Sequence, residues 1–151
     1  MKYFIRVFIA LSILYCLLTS PAQAYSGNFI VEAGDSVPRH LDLDEGDRVS
    51  GRVVVVGHDS IINFSILDAN QNPILSYKNV GSRSFQFAVL ESGVYTLQFE
   101  NLFSEEAKQV TLNYDVQHYI LGFPQEYVLL FVVVGLALVA VAVFAILSPK
   151  P

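Results

Sequence analysis

Four acidic residues crowd one short stretch: Asp42, Asp44, Glu45 and Asp47. Hard carboxylate oxygens at close spacing are what calcium takes as ligands. An EF-hand loop counted from Asp42 requires Gly at its sixth position and a carboxylate at its twelfth. The chain has Asp47 and Val53 there, so the chemistry open to this cluster is a calcium site of another kind. Leu41 and Leu43 alternate with Asp42 and Asp44, and a strand with a solvated acidic face running into a turn accounts for the same residues.

His58-Asp59-Ser60 carries the residue types of a hydrolytic triad. Neighbours in one tight turn cannot take up a triad's mutual geometry, so the segment reads as a polar turn. The other histidines are His40 and His118. The single cysteine, Cys16, lies in the N-terminal apolar stretch, which leaves the rest of the chain without a thiol for catalysis, redox chemistry or a disulfide. No G-x-S-x-G elbow, phosphate-binding glycine loop or H-E-x-x-H pattern occurs. These residues point to a non-enzymatic protein with no cofactor. Asn63-Phe64-Ser65 fits the N-glycosylation sequon, and its parity puts Asn63 on a polar face.

What must position these groups is a set of strands. Phe85, Phe87 and Val89 alternate with Gln86 and Ala88, and Val110, Leu112, Tyr114 and Val116 alternate with Thr111, Asn113 and Asp115. Period two, repeated along the chain, means half-buried strands. Turn chemistry separates them at Glu45-Gly46-Asp47, Gly57 to Ser60, Asp68 to Pro73, Gly81-Ser82 and Glu91-Ser92-Gly93. The spacing predicts strands near 28–33, 38–43, 48–56, 61–67, 74–79, 84–89, 94–101 and 108–116. The fold class is all-β, an eight-stranded antiparallel sandwich of jelly-roll type, followed by one C-terminal transmembrane helix. The unbroken run Val53 to Val56 predicts a strand covered on both sides.

The two ends differ in kind from the middle. Residues 1–24 read as a signal peptide, with Lys2 and Arg6 ahead of an apolar stretch and Ala22-Gln23-Ala24 as the cleavage motif. Residues 25–116 are then the sandwich, 117–127 a juxtamembrane linker, 128–147 the span and 148–151 a cytoplasmic tail. The apolar run from Val128 to Leu147 has the length of a bilayer core, and Tyr119, Phe123 and Tyr127 precede it at headgroup level. With no ionisable side chain the span reads as an anchor rather than an ion path.

All fourteen acidic residues lie between Glu32 and Glu126, against six Lys and Arg in residues 25–126. An acidic exterior repels phosphate backbones, so nucleic acid is not a predicted partner. No residue pattern assigns an oligomeric state.

Several segments together resemble a known family. They are Gly46-Asp47-Arg48-Val49-Ser50-Gly51, Ile62 to Asp68, Ser84-Phe85-Gln86-Phe87, Gly93 to Asn101, and Lys108 to Tyr114. They are similar to the GOLD (Golgi dynamics) domain of the membrane cargo-receptor family of the early secretory pathway. The resemblance implies a leader, a β-sandwich, one span and a short tail. It also implies a protein partner outside the cytoplasm. Members of that family usually carry a cysteine pair in the sandwich, a coiled-coil stalk and tail signals with aromatic and dibasic residues. This chain has none of these, so coat-protein sorting is not carried over.

Two functions follow as expectations. The first is a single-pass recognition module binding exported or lumenal proteins. The second is a calcium- or glycan-dependent surface adhesion domain of the peptidase-associated jelly-roll type.

Overall fold

Alternation sends successive side chains to opposite faces of a strand, and the segments that carry it pair into sheets. The computed structural model describes residues 23–120 and 122–147. Eight strands build the sandwich: β1 (Gln23–Val31), β2 (Ser36–Leu43), β3 (Arg48–Val56), β4 (Ile62–Leu67), β5 (Pro73–Val80), β6 (Ser82–Ala88), β7 (Gly93–Glu100) and β8 (Lys108–Gln117). They form two four-stranded sheets ordered β1-β8-β3-β6 and β2-β7-β4-β5. Every neighbouring pair is antiparallel. The expected β-sandwich is the observed fold.

Its core follows from the same alternation. On β8, Val110, Leu112 and Val116 are buried while Gln109, Asn113 and Gln117 are exposed. Phe64 lies at the centre, with ring centroids 4.9 Å from Phe99 and 5.3 Å from Phe85. Each such apolar side chain contributes roughly 1.5–3 kcal/mol on burial, which lets the domain hold together without a disulfide.

Two strand expectations shift. β1 begins at Gln23 rather than near residue 28, because its first six residues continue the ladder with β8, from Gln23↔Val116 to Asn28↔Thr111. It stops at Val31, and the chain turns at Gly34 with φ 75°. The Val53–Val56 run is not covered on both sides: Val53 and Val55 are buried, whereas Val56 is 56% exposed. A sheet that meets its partner on one face only imposes period two even on an all-valine run. The expected signal peptide, residues 1–24, lies outside the described residues except for Gln23 and Ala24, which begin β1.

The C-terminal helix is a separate compact unit from the sandwich. Short strands β9 (Tyr119–Ile120) and β10 (Phe123–Pro124) pair in the stretch read as a linker. Helix α1 (Gln125–Leu147) follows, 23 residues long. That is about 35 Å at the α-helical rise, enough for a hydrocarbon core of about 30 Å. Among the described residues it is the one helix long and apolar enough to cross a membrane, with a mean hydropathy of 2.6 over Gln125–Val143. Exposed Phe131, Leu138 and Ile146 are side chains that lipid, not water, would cover.

Candidate recognition site

The acidic cluster does not converge. Asp42 stands exposed on β2, and Asp44 and Glu45 are exposed in the turn that follows. Asp47 instead turns inward, with 2% of its surface accessible. One of its carboxylate oxygens accepts from the Asp44 backbone N–H at 3.1 Å. The other lies 2.8 Å from His118 Nδ1. The turn is tied further by Glu45 N–H donating to Ser92 Oγ, by Gly46 N–H donating to the Val89 carbonyl and by Val89 N–H donating to the Asp47 carbonyl. Among the described residues no three His, Cys, Asp or Glu side chains come together where they could hold a metal ion.

His58, Asp59 and Ser60 lie in the β3–β4 turn. His58 Nε2 is 3.5 Å from Asp59 Oδ1, with both side chains exposed. The Ser60 hydroxyl donates to the Gly57 carbonyl at 2.7 Å, and so is not aimed at the imidazole. Among the described residues it makes no hydrogen bond to a histidine or carboxylate that could activate it. His40 Nδ1 lies 3.2 Å from Thr96 Oγ1 on the neighbouring strand. Asn63 is half-buried on β4; its Oδ1 accepts from the Asn79 N–H at 3.2 Å, and its Nδ2 has no hydrogen bond among the described residues.

A different feature is an open depression on the sandwich. A concavity of about 820 Å³ is lined by residues of all four strands of the β1-β8-β3-β6 sheet and by Tyr77 of β5. Through its middle runs one register row, Tyr25↔Tyr114↔Gly51↔Phe85. Tyr25 and Tyr114 stack with centroids 5.0 Å apart. Gly51 is required by the Phe85 ring: a Cβ there would sit 2.5 Å from Phe85 Cζ and 2.6 Å from the Asn113 carbonyl oxygen. Tyr77 stacks on Phe64 and carries the Arg83 guanidinium 4.4 Å above its ring.

The hydroxyls of Tyr25, Tyr77 and Tyr114 make no hydrogen bond among the described residues. Burial, and then the nearby Tyr25, push the Tyr114 phenol above its usual range. Arg52, also on the rim, donates to Ser82 Oγ at 3.1 Å.

Aromatic faces with unpaired hydroxyls and a polar rim can hold a ligand by stacking and hydrogen bonding. The acidic cluster and the sequon drew attention in the sequence; this concavity did not. Its one local signal was a glycine inside a strand, which marks close approach of another group.

An antiparallel two-sheet sandwich on a chain with one helix apolar enough to cross a membrane is the layout of a single-pass membrane protein with a β-sandwich domain. The sequence profile described as "emp24/gp25L/p24 family/GOLD" matches residues 28–126, and the chain belongs to that family. It is 31% identical over 107 residues to the "Transmembrane emp24 domain-containing protein p24beta3" of Arabidopsis thaliana. That match takes in 66% of this chain and 49% of the relative, so the chain spans about half the length of the relative it matches.

Among solved structures, the fold is similar to Aeromonas hydrophila PliG, a periplasmic inhibitor of g-type lysozyme, at a TM-score of 0.50 and 20% identity. That likeness covers 66% of this chain and 90% of PliG. A pre-peptidase C-terminal domain of collagenase from Bacillus anthracis also matches at 0.50, with 11% identity over 64% of this chain and 98% of that one. These two likenesses concern the fold alone.

Proposed function

We propose that this chain is a non-enzymatic, membrane-anchored receptor domain whose sandwich binds exported or lumenal proteins. In this reading residues 1–24 are removed as a leader and residues 25–116 face away from the cytoplasm. Residues 128–147 span the bilayer, and residues 148–151 remain on the cytoplasmic side. The observation that carries the reading is the concavity, where three tyrosine hydroxyls have no hydrogen-bond partner among the described residues, in a protein of a cargo-receptor family. Tyrosine supplies large contact area with few rotatable bonds, which is why it concentrates at recognition surfaces. The Ser60 hydroxyl, turned away from His58, supports the non-enzymatic part.

The test places a photoreactive residue at Gln86, on the rim, and another at Lys78, outside it. After irradiation of intact membranes, Gln86 should yield a discrete adduct with an exported protein, and Tyr114→Ala should remove it. Identical adducts from both positions, or adducts only with cytoplasmic proteins, would rule the reading out. Protease added to sealed vesicles checks the orientation: the sandwich should be protected when the lumen is inside.

Asn63 belongs to the same proposal. With Oδ1 anchored and Nδ2 unpaired, it would accept a glycan in a host that glycosylates such sequons. Asn63→Gln should then remove a mass increment from the mature protein.

A further inference from the structure

Three loops meet at the end of the sandwich where β1 and β3 finish and β8 begins: residues 32–35, 57–61 and 101–107. Register places them together, with Val31 opposite Lys108, and with Ile30 and Val56 flanking Gln109. Two fully buried polar residues hold them. The Asn101 side-chain amide donates to the carbonyls of Val31, Glu32 and Glu106 at 3.3, 3.1 and 2.8 Å. Its backbone N–H donates to Asp35 O, and its carbonyl accepts from Gly34 N–H, both at 2.9 Å. Lys108 donates from Nζ to the His58 carbonyl, drawing the β3–β4 loop onto β8.

What this framework presents outward is a mixture of grease and negative charge. Ile30, Val56, Leu102 and Phe103 are 60, 56, 61 and 46% exposed. Around them stand exposed Glu32, Asp35, Asp59, Glu105 and Glu106. The only Lys or Arg in residues 30–35, 56–61 and 101–108 is Lys108, and it is buried. Large apolar groups left exposed on a framework already pinned need no ordering when something covers them, which favours binding.

We infer that this loop end is a docking surface for a protein segment in which apolar residues alternate with Lys or Arg. Charge complementarity selects that occupant. Apolar side chains of the segment cover Leu102 and Phe103, while its cations meet the surrounding carboxylates. The same charge disfavours an anionic lipid surface. This surface is separate from the tyrosine concavity, so its failure would leave the proposed function standing.

The experiment uses the full chain in nanodiscs of zwitterionic lipid. Two short fluorescent peptides serve as probes, one alternating Leu with Lys and the other Leu with Glu. Fluorescence anisotropy is read in excess of protein-free nanodiscs. The Leu-Lys peptide should bind and weaken as salt rises. The Leu-Glu peptide should bind at least about tenfold more weakly, since juxtaposed like charges cost several kcal/mol.

Glu105→Lys with Glu106→Lys should lower Leu-Lys affinity by about tenfold at an unchanged unfolding midpoint. Phe103→Ser should lower it as well. Equal affinity for both peptides, or affinity untouched by these substitutions, overturns the inference. So does a chain that self-associates through this end, seen as a doubled mass abolished by Phe103→Ser. A sharp fall in the unfolding midpoint of the double variant also counts against it, since the carboxylates would then serve the buried Lys108 charge.

Discussion

Two regions of this sandwich are rich in acid, and they use it in opposite ways. Around residues 42–47 the turn buries a carboxylate: Asp47 satisfies the Asp44 N–H and meets His118, leaving Asp42, Asp44 and Glu45 outside. At the loop end the groups needing partners are carbonyls, so donors go inside. Asn101 and Lys108 are buried there, and every acid stays at the surface. Which polar residue a fold takes in thus depends on whether the local backbone presents unpaired N–H or unpaired C=O. Acidic composition alone distinguishes neither case.

That contrast can be broken by substitution. The largest effect is expected at Asn101. Asn101→Leu keeps the bulk but strips three carbonyls of their donor, and should cost about 3 kcal/mol. Urea unfolding followed by tyrosine emission reads it directly, since the chain has no tryptophan. Next comes Asp47→Ala, which leaves an N–H and an imidazole unpaired and should cost about 2 kcal/mol. Asp42→Ala, only five residues away, should stay within about 0.5 kcal/mol. If the two aspartates behave alike in the same unfolding assay, the division between consumed and presented acids is wrong.

Asp68 sharpens the turn side further, with the smallest effect. Its carboxylate is lowered below the usual value of 3.8, chiefly by the Asn72 backbone N–H, helped by the Asn72 side chain and the Asn70 N–H, with desolvation opposing. A lowered folded value means the carboxylate's contribution is present above 3.8 and lost as pH falls through the folded value. Asp68→Ala should therefore be slightly less stable than the parent near neutrality, with the difference closing as pH falls below 3.8, so that the acid limb of its stability profile is shallower.

Much of the architecture could be read from the chain. Strands β3, β4, β6, β7 and β8 lie within a residue or two of their expected limits, because strict alternation and turn residues act over a few positions. β1 starts five residues before its expected limit of 28: Ser26 and Gly27 are turn-type residues, and pairing with β8 makes residues 23–27 a strand. Asp47–His118 and Asn101–Val31 join residues 71 and 70 positions apart, and no local pattern announces such partners. The concavity takes its rings from β1, β5, β6 and β8, so it exists only once the sheets have formed.

Gly51 makes a final point about tolerance to change. It is only half-buried and its φ is not among the positive ones, so by exposure and backbone it looks freely replaceable. Even a methyl there would strike both an aromatic ring and a neighbouring strand's carbonyl oxygen. Drift at this position would distort the hydrophobic interior and the wall of the concavity in a single step, so mutational libraries of the domain should find it almost closed to variation while its exposed neighbour Arg52 stays open.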